Sequence, residues 1–101
     1  MINQLTLIQP DDWHVHLRDN EALDVTVPAA ARYFGRSIVM PNLKMPVRNV
    51  TDASHYRQRI LKHRPKDSKW LPLMVLYLTD DTSKEDISEA KKSGFVQALK
   101  Y

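Results

Sequence analysis

Short apolar runs alternate along the chain with amphipathic stretches of helical period. Period-two alternation, or a short apolar run bounded by proline or glycine, is typical of a strand. Such runs lie at residues 5–10, 13–17, 37–40, 71–78 and 95–99. Helices are predicted at residues 28–33 and 51–64, and a third lies between Ser83 and Gly94. The pattern therefore predicts a strand–helix unit repeated three times and followed by a last strand.

Capping and breaker residues set the expected ends of these helices. Pro28 can begin the first helix, because a proline at the first helical position sacrifices no internal hydrogen bond. Thr51 is expected to cap the second helix, and Pro65 follows it as a breaker. Ser83 with Asp86 three residues later predicts a capping box at the start of the third helix.

Alternation of strands and helices implies parallel strands joined by right-handed crossovers. Two architectures share this pattern, an open doubly wound sheet and part of a (β/α)8 barrel. A complete barrel needs about 250 residues, whereas an open four-stranded sheet would fit 101 residues alone. No glycine-rich phosphate loop follows the first strand, which disfavours a nucleotide-binding open sheet.

Composition narrows the chemistry that the chain can perform. With 43% apolar and 27% charged residues, it is typical of one folded domain and not of a disordered segment. It contains no cysteine, so disulfides and thiolate metal sites are excluded, and a metal must use nitrogen or oxygen ligands. No signal-peptide pattern or membrane-length apolar run is present, and we expect a cytoplasmic chain without a membrane partner.

Basic residues are concentrated in the second predicted helix and the loop after it. The net charge of the chain is +3, and the cluster comprises Arg57, Arg59, Lys62, Arg64, Lys66 and Lys69. A nucleic-acid surface would combine such charges with aromatic residues or a recognition motif, and neither accompanies them. We interpret the cluster as a solvated helix face and loop, and expect no nucleic-acid partner.

Two histidines separated by one residue lie on the predicted strand at residues 13–17. Alternate side chains of a strand share a face, so His14 and His16 can converge on one metal ion. Trp13, Val15 and Leu17 would then face the opposite way, into apolar packing beneath the helices. A bare pair of this kind is more often structural than metal-binding, and its position at the carboxyl end of a strand favours function.

Further polar residues are predicted at the same edge of the sheet. Arg18 follows the histidine strand, and Asn42 follows the strand at residues 37–40. Lys100 closes the last strand and has the parity of Val96 and Ala98, which would point into a barrel. Burial lowers the pKa of a lysine, and its neutral amine can then add carbon dioxide to form a carbamate. An ordinary strand-end lysine is the alternative.

Five segments resemble, in chain order, motifs of the bacterial dihydroorotases. The opening segment DDWHVHLRD at residues 11–19 resembles the first motif of that family. The other similar segments are residues 37–43, residues 56–61, residues 71–74 together with 77–80, and residues 98–101. The resemblance thus spans essentially the whole chain, although Asn20 stands where many relatives have glycine.

The resemblance implies a fold and a set of metal ligands. The fold is α/β, the first three to four β/α units of a (β/α)8 TIM barrel of the metal-dependent hydrolase type. It implies two zinc ions per subunit, with His14 and His16 ligating the more buried ion. Lys100, carbamylated as N6-carboxylysine, would bridge both ions, and Arg18 and Asn42 would bind the substrate carboxylate.

The implied reaction is the reversible cyclisation of N-carbamoyl-L-aspartate to L-dihydroorotate in pyrimidine biosynthesis, in a homodimeric enzyme. The family's other two histidine ligands, its catalytic aspartate and a further substrate-binding group have no counterpart in residues 1–101, so no catalytic residue is assigned here. His55 and His63 are interpreted as structural or exposed. We therefore expect residues 1–101 to be the N-terminal part of a single barrel domain, shorter than the family's, and inactive alone.

Two alternatives remain. A related cyclic-amide hydrolase, such as a hydantoinase or allantoinase, would share the metal site but would not need Arg18 and Asn42 for a carboxylate. A non-enzymatic basic α/β domain that binds nucleic acid or a protein partner would fit the length. It would not explain the ordered motifs.

Overall fold

Strands and helices alternate through residues 10–100, the part of the chain that the computed structural model describes. The strands of this part are β1 (Asp11–Val15), β2 (Arg36–Val39), β3 (Leu71–Tyr77) and β4 (Val96–Lys100). Its α-helices are α1 (Leu23–Tyr33), α2 (Val50–Lys62) and α3 (Lys84–Ser93), and a 3-10 turn, Asn20–Ala22, precedes α1. The strand predicted at residues 5–10 lies outside the described residues.

The strands form one parallel sheet in the order β1-β2-β3-β4, which is also their order in the chain. A doubly wound sheet reverses its strand order at a switch point, and this sheet does not. The helices pack against one continuous apolar cluster that includes Val39, Met74 and Leu76 of the strands. Sequential order and helices on one face are the arrangement of consecutive units in a barrel.

Buried aliphatic and aromatic side chains between helices and sheet stabilise this arrangement. The cluster takes its helical members from all three helices, among them Leu23, Val27, Tyr56, Ile60 and Ala90. Within residues 10–100, no helix is long and apolar enough to cross a membrane.

The first helix begins five residues earlier than the proline signal predicts. It starts at Leu23, and Pro28 lies inside it. A proline there removes one helical hydrogen bond, but Leu23 and Val27 on the same helix are fully buried. Their burial offsets the lost bond, so tertiary packing decides the start of α1.

Local capping signals predict the ends of α3 correctly and the start of α2 only approximately. The side chain of Asn49, not that of Thr51, caps α2 by accepting a hydrogen bond from the backbone N–H of Asp52 at 2.8 Å. At α3, Ser83 and Asp86 form the predicted capping box, with both bonds 3.0 Å long. Gly94 ends α3 with a φ of 80°, a left-handed conformation that glycine adopts without steric cost.

Replacing Ser83 with alanine is expected to lower the free energy of unfolding by about 1 kcal/mol, the usual effect of losing a capping side chain. The substitution leaves the backbone N–H of Asp86 without its acceptor. Urea denaturation followed by circular dichroism measures the change. Ser88→Ala, at an exposed position of the same helix, is the matched control. Equal destabilisation by the two substitutions would contradict the role of the cap.

Register shifts in β1 and β4 alter the side-chain parity that strict alternation predicts. In β1, three steps from Asp12 to Val15 face two steps in β2, which indicates a bulge. Trp13 is consequently 64% exposed, so the prediction that it packs beneath the helices is wrong. Val15 contacts the core and Leu17 is buried in it, as predicted.

The shift in β4 separates Lys100 from Val96. Val96 pairs with Met74 and packs against the core, whereas Ala98 and Lys100 pair with Val75 and Tyr77. The prediction that Val96 shares the inward face with Lys100 is therefore wrong. The extra residue in β4 changes the parity between them.

Candidate metal and carboxylate site

The structure gathers the predicted site residues at the carboxyl ends of the strands. His14 lies in β1, and His16 and Arg18 follow its end. Asn42 lies in the loop after β2, and Lys100 is the last residue of β4. Parallel strands bring these three strand ends to one edge of the sheet, where functional residues of such folds meet.

The two histidine rings converge. Their Nε2 atoms are 3.1 Å apart, and the ring centroids are 5.0 Å apart with the planes inclined by 64°. The backbone N–H of His14 donates to Asp12 Oδ1 at 3.0 Å, which holds the bulged backbone beside the pair. In the metal-free state the tautomers decide which ring donates to the other. Both Nε2 atoms therefore point into the same small space.

The electrostatic environment favours the neutral form of His16. Burial lowers the pKa of its imidazole below the ordinary value of 6.5, and the positive charges of Arg18, His14 and Lys100 lower it further. A neutral imidazole is the form that binds metal ions. Its Nδ1 atom is buried and has no hydrogen-bond partner among residues 10–100.

The side chain of Lys100 connects β4 to the loop that follows β2. Its Nζ donates a hydrogen bond of 2.5 Å to Oδ1 of Asn42, across 58 positions of the chain. The lysine and the asparagine are both half-buried. The bond places the amine next to the side chain that the sequence assigns to carboxylate binding.

Arg18 lies in a loop with an unusual backbone. Its φ is 63°, and that of Asn20 is 50°. Asparagine tolerates this left-handed region, whereas arginine rarely enters it. The Arg18 carbonyl accepts a hydrogen bond from the Tyr56 hydroxyl of α2. The next residue, Asp19, binds the guanidinium of Arg59 through both carboxylate oxygens, each at 2.8 Å.

The histidine pair fits a zinc ion. Two nitrogen ligands about 2.0–2.1 Å from a zinc ion in a tetrahedral arrangement lie about 3.3 Å apart, close to the 3.1 Å between these Nε2 atoms. Histidine nitrogen and a carbamate oxygen from lysine are both donors that zinc accepts. Within the described part of the chain, no three or more histidine, aspartate or glutamate side chains converge on one point. These residues thus supply part of a coordination shell.

The sequence does not predict the side-chain contacts that α2 makes with the Arg18 loop. The sequence predicts that Arg59 and Arg64 belong to a solvated basic face. In the structure, Arg59 pairs with Asp19, and Arg64 donates to the Trp70 carbonyl at 2.9 Å. The solvated interpretation holds for the exposed side chains of Lys62, Lys66 and Lys69. Partners 40 positions apart leave no local pattern, so only the fold reveals them.

The other two histidines lie away from the site. His55 is exposed and lines a groove with Arg48 and Asp52. The ring of His63 contacts the Arg59 carbonyl and the Asp24 carboxylate, each at 2.9 Å, and so joins α2 to α1. The interpretation of both histidines as structural or exposed agrees with these positions.

Comparison with known sequences finds relatives that are named dihydroorotases. No family model matches the chain. A dihydroorotase of Ectopseudomonas mendocina is 62% identical over 100 residues, and one of Pseudomonas aeruginosa is 64% identical over 100 residues. Each match covers 99% of this chain and 29% of the relative's length. The chain thus spans less than a third of the curated relatives that it matches.

Comparison with solved structures finds the same description. A crystal structure of dihydroorotase from Campylobacter jejuni superposes with a TM-score of 0.80 and 36% identity, over 90% of this chain and 26% of that one. Dihydroorotase from Saccharomyces cerevisiae in complex with 5-fluoroorotic acid superposes with a TM-score of 0.79 and 25% identity, over 89% of this chain and 24% of that one. The predicted fold, the first units of a (β/α)8 barrel, is confirmed.

Proposed function

Since this chain is related to the N-terminal part of the dihydroorotases in sequence and in fold, we propose that it supplies the first metal ligands and the carboxylate-binding side chains of a dihydroorotase. The reaction is the reversible, zinc-dependent cyclisation of N-carbamoyl-L-aspartate to L-dihydroorotate. The observation that carries the proposal is the meeting of four side chains at one end of the sheet. The Nε2 atoms of His14 and His16 face each other at 3.1 Å, and Lys100 binds Asn42 at 2.5 Å.

In this proposal Arg18 and Asn42 bind the carboxylate of the substrate. The planar guanidinium of Arg18 matches a carboxylate with two parallel hydrogen bonds. The amide of Asn42 adds a directional donor. Arg18 is exposed and the Asn42 oxygen is bonded to Lys100, so the amide N–H₂ of Asn42 is the group that would turn to the ligand.

His14 and His16 would hold a zinc ion, and Lys100 would bridge to a second one. Bound zinc polarises a carbonyl and lowers the pKa of water, which is the chemistry that hydrolysis of a cyclic amide requires. Lys100 would first lose its ammonium proton to solvent. Its neutral nitrogen would then form a bond to the carbon of carbon dioxide as one C–O π bond breaks, and the nitrogen would release a second proton to solvent. The product is a carbamate, which carries a carboxylate-like negative charge. No residue of the chain is assigned as the proton-transferring aspartate.

The resemblance further suggests a cytoplasmic homodimer acting on a small molecule. Sedimentation equilibrium of the complete natural polypeptide that carries this sequence (hereafter the complete polypeptide) tests the dimer. A monomer at micromolar concentration would contradict that part of the proposal, and would leave the assignment of the reaction to the assay below.

Replacing Arg18 with lysine in the complete polypeptide is expected to raise KM for dihydroorotate by roughly 10- to 100-fold. A hydrogen bond to a charged group contributes about 1.5–3 kcal/mol, and lysine cannot form the bidentate pair. Steady-state kinetics on dihydroorotate and on hydantoin, a cyclic amide without a carboxylate, measure the effect. Only the carboxylate-bearing substrate should lose affinity.

Arg48→Lys is the matched control. Arg48 is also an exposed loop arginine, but it lies in the loop just before α2 and not beside β1. It is expected to change KM by less than about 2-fold, as surface substitutions usually do. Preferred turnover of hydantoin, with no effect of Arg18→Lys, would favour the related cyclic-amide hydrolases over dihydroorotase.

A further inference from the structure

The backbone of Arg18 is held in a conformation that its own sequence disfavours. A φ of 63° brings the Cβ of a non-glycine residue close to its own backbone. Non-glycine residues keep such conformations only where surrounding contacts impose them, commonly at functional sites. The contacts that impose this one come from a helix more than thirty positions away.

Two side chains of α2 contact consecutive residues of the loop. The hydroxyl of Tyr56 donates to the Arg18 carbonyl, and the fork of Arg59 binds both oxygens of Asp19. Residues three apart on a helix share a face, and the Arg59 guanidinium also lies 5.4 Å from the centroid of the Tyr56 ring. The two contacts therefore form one tether, defined here as Tyr56 and Arg59.

The tether is built to persist. Tyr56 is fully buried, and burial, helped by the negative charge of Asp19, raises the pKa of its hydroxyl, which remains a donor across the neutral range. The Asp19 carboxylate also accepts the backbone N–H of Asn20 at 2.8 Å, which fixes the turn that follows. On the other side of Arg18, the hydroxyl of Thr26 donates to the Leu17 carbonyl at 2.7 Å.

From this geometry we infer that Tyr56 and Arg59 are positioning residues that hold Arg18 in the conformation required to bind the substrate carboxylate. The inference rests on the proposed function, since it assigns a purpose to the loop that carries Arg18. Neither side chain needs to touch the substrate. The same helix begins just after the loop that bears Asn42, so the tether fixes Arg18 relative to its proposed partner in binding.

Tyr56→Phe in the complete polypeptide removes one hydroxyl and keeps the buried ring. We expect KM for dihydroorotate to rise about 3- to 10-fold, the effect of one lost hydrogen bond, with kcat changed less than about 2-fold. Arg59→Lys, which cannot form the two-pronged contact with Asp19, is expected to do the same. A residue that only stabilised the fold would lower the unfolding midpoint without this split between KM and kcat.

Matched controls exist for both substitutions. Tyr33→Phe removes a hydroxyl from an exposed tyrosine of α1. Arg36→Lys breaks an arginine–aspartate fork of the same kind, with Asp11 at 3.2 and 2.6 Å, at the amino ends of β1 and β2. Both controls should leave KM unchanged. Normal turnover with an unchanged KM in Tyr56→Phe and Arg59→Lys would overturn the inference.

Hydrogen exchange separates failure of the inference from failure of the proposed function. If the unaltered polypeptide does not turn over dihydroorotate, the proposed function fails. The tether is still read from the amide exchange of residues 18–20, which should accelerate in both variants while exchange in β3 stays constant. Unchanged exchange of the loop in both variants would show that α2 does not hold Arg18, whatever the substrate.

Discussion

Substituting His14 and His16 together with alanine is expected to remove bound zinc and to lower kcat/KM for dihydroorotate by more than about 100-fold. Changes to groups that merely orient a metal ligand already cost about 10- to 100-fold, and here two nitrogen donors 3.1 Å apart are lost. Elemental analysis of the purified complete polypeptide measures zinc per subunit, and an ultraviolet assay of ring opening measures turnover.

The matched control for the histidine pair is His55→Ala. His55 is exposed on α2 and lines a groove that does not include His14 or His16, so its loss should leave both zinc content and turnover near those of the unaltered polypeptide. Full zinc occupancy and full turnover in the double variant would contradict the assignment of the pair as metal ligands. Loss of zinc in His55→Ala alone would place the metal elsewhere.

Replacing Trp70 with alanine is expected to lower the free energy of unfolding by about 3–5 kcal/mol, the usual effect of emptying a large aromatic site. Trp70 is 1% exposed, and its indole N–H donates a 2.8 Å bond to the hydroxyl of Ser37, which is fully buried. Loss of the ring leaves a cavity and an unpaired buried hydroxyl. Such a change is a large part of the roughly 5–15 kcal/mol that stabilises a domain.

Trp13→Ala is the matched control for stability, because Trp13 is 64% exposed on the bulged strand. It should change the free energy of unfolding by less than about 0.5 kcal/mol. Urea denaturation, followed by circular dichroism so that loss of a fluorophore does not matter, measures both. Similar destabilisation by the two substitutions would contradict the burial that distinguishes them.

Much of the fold follows from patterns that act over a few residues. The ends of α3 are correct because Ser83, Asp86 and Gly94 determine them by contacts within one turn. The start of α1 is not, because burial of Leu23 and Val27 depends on the sheet beneath them. The bulges of β1 and β4 arise from pairing with neighbouring strands, and no single strand encodes them.

For the candidate site too, the sequence predicts the features that depend on position along a strand and not the contacts between distant residues. Strand-end position alone brings His14, Asn42 and Lys100 to the same edge of the sheet. The side-chain parity of Lys100 does not follow from that of Val96, because the bulge in β4 lies between them and Val96 faces the core. The tether escaped prediction because Tyr56 and Arg18 are 38 positions apart, and complementary groups at such separations are common by chance.

The order of the strands has a consequence for how the chain is made. Among residues 10–100, each strand pairs with the strand made just before it, the strand made just after it, or both. A ribosome adds about 5–20 residues per second. β2 therefore emerges after β1 and α1, and β3 emerges after β1 and β2. Within residues 10–100, the partner of each strand is thus at most one strand–helix unit away. β1 and β2, which lead to the histidines and to Asn42, can therefore pair before Lys100 is translated.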